Sequence, residues 1–142
     1  MKCVLVFGLL AFGAASSAQD MSKSCALHRC GQGDVVVTFS SKGSPAVGCP
    51  TRNLSIYTNF IINMATFGIT EDNATGEIAE DMKKMRDDAG VSSFREAAQG
   101  CWPLESKQRV TILEYSERGA VKVSPAGGGA PYWTQSSHID KP

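Results

Sequence analysis

The apolar positions of the chain follow two different periods, first helical and later extended. Between Cys49 and Gly68 the apolar residues form a face wider than a single helical stripe, which predicts a helix from about Arg52 to Phe67 that is buried on two sides. Thr51 stands where an N-cap is needed, and Gly68 where a left-handed residue would end the helix. The apolar positions of this face are Leu54, Ile56, Tyr57, Phe60, Ile61 and Met64.

Two shorter helices are predicted to follow. From Gly76 the apolar residues form a narrow seam that stops at Gly90, which is typical of an amphipathic surface helix. Ser93 and Glu96 have the spacing of a capping box and predict the start of a third helix. The seam consists of Ile78, Met82, Met85 and Ala89. The helical part therefore covers about residues 50–100.

The period then changes to two, which indicates strands. The stretch 109–115 alternates, and we expect Val110, Ile112 and Glu114 to lie on one side of its strand. Residues 120–124 then form a second strand, which completes an antiparallel hairpin with the first. Residues 132–135 predict a further short strand, so the β-hairpin part covers about 107–139. The valine-rich stretch 34–40 is a candidate fourth strand, whereas the connection to Cys49 reads as an irregular loop. These elements predict an α+β domain, with helices packed on a small antiparallel sheet.

The first residues differ from the rest of the chain. Lys2, a short apolar run and the small residues 16–18 are typical of a secretory signal peptide, and the run is too short to span a bilayer. We therefore expect residues 1–18 to be removed and residues 19–142 to form a single exported domain without a membrane span. The predicted location is the periplasm or the extracellular space.

The charge balance argues against nucleic acid as a partner. The whole chain carries 14 basic and 14 acidic side chains, and only Lys2 would leave with the signal peptide. Such a balanced chain has no overall field that would attract polyanions. The glycine-rich stretch 125–131 lacks the context of a nucleotide loop, so no cofactor is expected.

The cysteines predict two disulfides. Cys3 would leave with the signal peptide, which leaves four cysteines in an exported chain. We favour the pairs Cys49 with Cys101 and Cys25 with Cys30, because the first would join a helix start to a helix end. Crossed pairs, such as Cys30 with Cys49, remain open.

Few residues are candidates for catalysis or metal binding. A free thiol at Cys49 would lie at a helix N-terminus, where its pKa falls and it could act as a nucleophile, but pairing in a disulfide is favoured. Cys25, His28 and Cys30 do not have the spacing of a zinc site, so no metal is predicted. His138, in the polar tail 136–142, is expected to be a solvated surface residue.

Four aromatic residues are the candidates for binding. Aromatic side chains with a polar group often anchor protein interfaces or stack on sugars, although the same residues also complete sheet cores. The candidates are Trp102, Tyr115, Tyr132 and Trp133.

The C-terminal part resembles the second half of a bacterial SH3-like domain. The resemblance rests on two valine-rich strands, a glycine-containing loop, an aromatic strand and a final hydrophobic residue. The matching residues are Val110, Ile112, Leu113, Val121, Val123, Gly129, Trp133 and Ile139. It covers about a quarter of the chain, and helices stand where the first half of such a domain would lie. A surface that faces a peptide or a glycan is what the resemblance implies.

The sequence thus favours a small exported binding protein that is not an enzyme. Its partner would be another exported protein or a cell-wall polymer, and an inhibitor or immunity protein is one specific form of this. The alternatives are a small secreted hydrolase that uses Cys49 or a His and carboxylate pair, and a structural component of a secretion or surface assembly.

Overall fold

The computed structural model describes residues 18–142, so the predicted signal peptide lies almost wholly outside the described residues. The α-helices and β-strands are, in chain order, β1 (Val35–Thr38), β2 (Val47–Gly48), α1 (Arg52–Thr66), α2 (Gly76–Ala89), α3 (Phe94–Gln99), β3 (Trp102–Pro103), β4 (Arg109–Tyr115), β5 (Ala120–Pro125), β6 (Tyr132–Gln135) and β7 (Ile139–Asp140). The fold is α+β, with three helices packed with an antiparallel sheet, which confirms the predicted class.

The helix boundaries arise from local capping. The Thr51 hydroxyl accepts a hydrogen bond from the Leu54 amide, and Gly90 ends α2 in the left-handed conformation with φ 71°. At α3 the Ser93 hydroxyl accepts a hydrogen bond from the Glu96 amide, as a capping box requires. The three helices therefore start and end close to where the sequence predicts.

The main sheet has the strand order β6-β5-β4-β1-β7, and every pairing in it is antiparallel. The candidate strand β1 lies inside this sheet, between β4 and β7. The outermost strands β6 and β7 are joined only by the 3₁₀ turn Ser136–His138. Because a three-residue connection cannot cross a flat five-stranded sheet, the sheet must curl until its two edges approach each other.

Both edges of the curled sheet are covered. Cys49, just after β2, exchanges two backbone hydrogen bonds with Trp133 of β6, with N···O distances of 2.8 and 2.9 Å. On the other side, Ser24 forms a bridge with Asp140 of β7 and is fully buried. The chain near Ser24 and the tail 136–142 are thus part of the fold, and the polar tail expected from the sequence instead contributes a turn and a strand.

Two clusters of buried side chains hold the layers together. The sheet core lies on one face of the curled sheet and includes the first disulfide; its sheet residues are Val36, Val110, Ile112, Val121, Val123, Tyr132 and Ile139. The helix core lies between α1, α2, α3 and the opposite face of β5 and β6, and its buried members are Cys49, Leu54, Ile56, Tyr57, Ile61, Met82, Met85, Ala97, Ala120 and Trp133.

Helix α1 is the central element of the helical layer. Its residues 54–59 are all buried, because the helix packs on β5 and β6 and is covered by α2 and α3. The hydroxyl of the fully buried Tyr57 donates to Glu71 at 2.6 Å, and Arg86 of α2 lies 3.2 Å from the same carboxylate oxygen. This contact fixes the turn between α1 and α2. Burial and the Glu71 carboxylate raise the pKa of Tyr57, so its hydroxyl stays protonated.

The structure differs from the sequence-based strand assignment in two places. A bulge between Ile112 and Glu114 shifts the register of β4, so Tyr115 joins the sheet core and Glu114 points to solvent. The prediction that Glu114 shares a side with Val110 and Ile112 is therefore wrong. The connection before Cys49 is also not wholly irregular, since β2 pairs with β3.

Candidate binding site

The four cysteines of the described chain form the disulfides Cys25–Cys30 and Cys49–Cys101. These are the pairs that the sequence analysis favours. Cys49 is fully buried, and its sulfur is bonded to Cys101 beside the end of α3. It cannot serve as a nucleophilic thiol while that bond is intact. Two structural disulfides indicate a protein that works outside the reducing cytoplasm.

The four aromatic candidates do not come together in one site. Trp133 belongs to the helix core, and Tyr115 packs against the sheet core on the other face. Tyr132 is 5% exposed, whereas Trp102 is 41% exposed. Of the four, therefore, only Trp102 offers a large accessible surface, and Tyr132 lies directly beside it.

The Trp102 and Tyr132 rings pack edge to face, with centroids 5.7 Å apart and an interplanar angle of 74°. Gly48 makes this arrangement possible, because Trp102 is its partner across β2 and β3. A Cβ atom at Gly48 would lie 2.9 Å from both Trp102 Nε1 and Tyr132 Cδ2. The glycine therefore allows the indole to lie against the backbone, and the pairing holds Trp102 in a fixed position.

An open groove of about 880 Å³ extends from Trp102. It is lined by residues 102–105, by the glycine-rich turn 125–128 and by Tyr132, among others. The turn is anchored by a hydrogen bond from the Ala126 amide to the Arg109 carbonyl oxygen at 3.0 Å. We name this the Trp102 groove. Its exposed charged residues, Glu105 and Arg109, are one acid and one base, so it carries no strong charge of either sign.

Sequence reasoning missed a second depression, which we name the α1 cleft. It has a volume of about 600 Å³ and follows one face of α1 from Ile56 to Thr66. Asn59 and His138 both line it and are 5% and 7% exposed. Asn59 Oδ1 and His138 Nδ1 are buried without a hydrogen-bond partner, which is unusual for polar atoms.

His138 is not the solvated surface residue that the sequence suggests. The 3₁₀ turn between β6 and β7 places it in the interior, where its carbonyl oxygen accepts a hydrogen bond from the Phe39 amide at 2.8 Å. Burial lowers the pKa of His138, and the Phe39 backbone opposes this in part. The imidazole is therefore neutral at pH 7. The only signal in the sequence was that His138 directly precedes Ile139, the final hydrophobic residue in the resemblance to SH3-like domains.

Acidification should destabilise the fold through His138. Its pKa in the folded state lies below the ordinary value of 6.5, so the unfolded chain binds the proton more readily. The contribution of the neutral His138 imidazole to the free energy of unfolding is complete above about pH 6.5. It is lost as the pH falls through the lower pKa of the folded state. The unfolding free energy of the wild type minus that of His138→Gln should therefore be higher at about pH 8 than at about pH 5. Urea unfolding at both pH values measures it, and a difference independent of pH would contradict the assignment.

Within residues 18–142, no three His, Cys, Asp or Glu side chains lie close enough together to hold a metal ion. No helix in the same range has the length and apolarity that crossing a membrane requires. Comparisons with known proteins find no matching family model, no matching curated protein and no matching solved structure.

Proposed function

We propose that this chain is a small exported binding protein without enzymatic activity, which uses the Trp102 groove to recognise another exported protein or a cell-wall polymer. The observation that carries the proposal is an exposed tryptophan held in a fixed position. An aromatic ring whose orientation is set by its neighbours loses little conformational entropy on binding, so less of its contact energy is offset by ordering.

Further features support a binding role. The disulfide at Cys101 adjoins Trp102 and restrains the backbone that carries it. The balanced charge of the groove suits a neutral polymer or a protein surface better than a polyanion. The curled sheet, the 3₁₀ turn before the last strand and the resemblance to SH3-like domains are in keeping with a scaffold that presents a peptide- or glycan-facing surface. An inhibitor or immunity protein that occludes its target is one form of this function.

The alternatives have less support. The hydrolase hypothesis needs either a free Cys49, which the disulfide removes, or a histidine paired with a carboxylate. Among the described residues, the buried histidine His138 has no ion pair with an acid. A structural role in a secretion or surface assembly stays a proposal of lower rank, because no observation favours it over a binding role.

Co-sedimentation tests the polymer form of the proposal. The purified protein, with both disulfides formed, is mixed with insoluble peptidoglycan, chitin or cellulose, and the bound fraction is measured. We expect Trp102→Ala to lower the affinity for the bound polymer at least about tenfold. Gly48→Ala should also weaken binding, because the added methyl group displaces Trp102. Phe67→Ala is the matched control, since Phe67 is an exposed aromatic residue, 71% accessible, that does not line the groove.

Site-specific cross-linking tests the protein form. A photoreactive phenylalanine analogue is introduced at position 102 or, as the control, at position 67, and the protein is exposed to the secreted fraction of its host. A discrete adduct that forms only from position 102 supports a protein partner. If no polymer binds and no adduct is specific to position 102, the proposed function is wrong.

A further inference from the structure

The chain that follows the predicted cleavage point is paired with the last strand of the sheet. The Lys141 amide donates a hydrogen bond to the Lys23 carbonyl oxygen at 2.8 Å, and Ser24 forms the bridge with Asp140 of β7. The start of the described chain therefore lies beside its C-terminal end.

Gln19 extends this contact through its side chain. Its carboxamide nitrogen Nε2 donates to the Ser137 carbonyl oxygen at 3.0 Å and to Asp140 Oδ1 at 2.7 Å. A carboxamide nitrogen carries two hydrogens, so both of its donors are used. Because both partners are acceptors, they also determine which end of the amide faces them. We name this pair of hydrogen bonds the Gln19 tether.

The carboxylate of Asp140 depends on the Gln19 tether. Asp140 is 8% exposed, and within residues 18–142 it forms no ion pair with a basic side chain. Among the described side chains, Gln19 is the one that donates a hydrogen bond to this carboxylate. A buried carboxylate is unfavourable unless it is hydrogen-bonded, so loss of the Gln19 amide is costly in the folded state.

The predicted removal of residues 1–18 places a reactive amine on the same residue. Once Gln19 is N-terminal, its α-amino nitrogen can attack the side-chain carbonyl carbon Cδ. The Cδ–Nε2 bond then breaks, and Nε2 leaves as ammonia with a proton taken from the attacking nitrogen. The product is the cyclic lactam pyroglutamate, which lacks the terminal charge, and no other reactant is required.

The folded structure opposes this cyclisation in two ways. The nitrogen that must leave is the one held by Ser137 and Asp140, so both hydrogen bonds are lost in the product. Ring closure also requires the Gln19 side chain to turn back onto its own backbone nitrogen, whereas the tether directs the carboxamide towards the C-terminal turn and strand. Neither restraint exists in the unfolded chain.

We propose that Gln19 is a modification site that folding controls. The Gln19 tether keeps the N-terminus of the mature chain as an open glutamine, and the residue cyclises to pyroglutamate where the tether has not formed. A cyclised chain has no Nε2 with which to form the tether, so late folding leaves a permanent chemical mark. This inference rests on the predicted cleavage after Ala18, and it goes beyond the proposed binding function because Gln19 does not line the Trp102 groove.

The rate of cyclisation tests the proposal. The full chain is expressed in its host with its own N-terminal segment, and the exported protein is purified with both disulfides intact. It is incubated at one pH and temperature, either folded in buffer or unfolded in guanidinium chloride. Trypsin then releases the N-terminal peptide 19–23, whose mass falls by one ammonia on cyclisation. We expect cyclisation to be at least about tenfold slower in the folded protein, as the loss of a hydrogen bond to a charged group implies.

Asp140→Asn tests the contribution of the charged acceptor. The variant keeps the shape of the side chain but weakens the hydrogen bond, so the folded protein should cyclise at least about threefold faster than the folded wild type. Its unfolded rate should equal that of the unfolded wild type. Asp20→Asn is the matched control, because the Asp20 carboxylate accepts hydrogen bonds from Ser22 and not from the Gln19 amide. The ratio of folded to unfolded rates should not change in this control.

The proposal is wrong if the exported chain begins at a residue other than Gln19, or if the folded wild type cyclises as fast as the unfolded wild type or faster. Both rates are measured on the wild type, so this comparison does not depend on whether Asp140→Asn folds. Trp102→Ala should leave both rates unchanged. Failure of the Trp102 groove to bind a partner would therefore not affect this result.

Discussion

Replacement of both Cys49 and Cys101 by alanine is expected to lower the free energy of unfolding by about 4 kcal/mol. The two residues are 52 positions apart, and the loop they close contains all three helices. Without the bond the unfolded chain gains the conformational freedom of this long loop, which shifts the equilibrium towards unfolding. Equilibrium unfolding in urea, followed by circular dichroism under non-reducing conditions, gives the change.

The second disulfide provides the matched control. Cys25 and Cys30 are only 5 positions apart, so their replacement by alanine should cost about 2 kcal/mol in the same chain-entropy treatment. The variant that lacks Cys49 and Cys101 should remain folded at low temperature, because the backbone hydrogen bonds between residue 49 and Trp133 do not involve sulfur. If the two double variants lost equal stability, restriction of the long loop would not be the source of the effect.

Replacement of Met82 by alanine is expected to lower the free energy of unfolding by about 2–5 kcal/mol. Met82 is 2% exposed and, with Met85, is one of the two residues of α2 that are buried in the helix core. Its truncation leaves a cavity that the surrounding helices can fill only in part. Urea unfolding measures the loss, and the α-helical signal at low denaturant shows that the variant still folds.

Ile78→Ala is the control for Met82→Ala. Both residues lie on the seam that the sequence predicts, but Ile78 is 38% exposed. Its replacement should change stability by no more than about 0.5 kcal/mol, as is usual at the surface. Equal losses for the two variants would mean that α2 packs along its whole seam, contrary to the structure.

The sequence allows prediction of the helices because their boundaries are set by neighbouring residues. Thr51, Gly90 and Ser93 act through hydrogen bonds or backbone conformations within one or two turns, so they can be recognised without knowledge of the fold. The Cys49–Cys101 pair followed from the same assignment, since it joins a helix start to a helix end, and Cys25 and Cys30 were then the two cysteines left to pair.

The details of the sheet depend on contacts between distant parts of the chain. Strands β2 and β3 have two residues each, which is too short for any period, and Gly48 and Pro103 are poor strand formers. The bulge at Leu113 reverses the alternation of β4 without a glycine to mark it. Tyr115 and Glu114 consequently exchange the environments that strict alternation gives them.

The candidate sites were the hardest features to predict. The sequence identifies Trp102 as an aromatic candidate, but it cannot tell that Trp102 is accessible while Trp133 is buried. The α1 cleft is assembled from separate segments, so Asn59 looked like a polar residue within an apolar helix and His138 like part of a tail. Only the fold brings these two residues to the same depression.

The position of β1 has a consequence for how the chain folds. It is the first strand, yet Val37 pairs with Arg109 on one side and Asp140 on the other, so neither neighbour is available until most of the chain has been synthesised. Long-range pairings of this kind slow folding. Because β1 needs both β4 and β7, the sheet cannot be completed before residues 139–140 are available, whereas the helices between residues 52 and 99 depend mainly on local contacts and can form earlier.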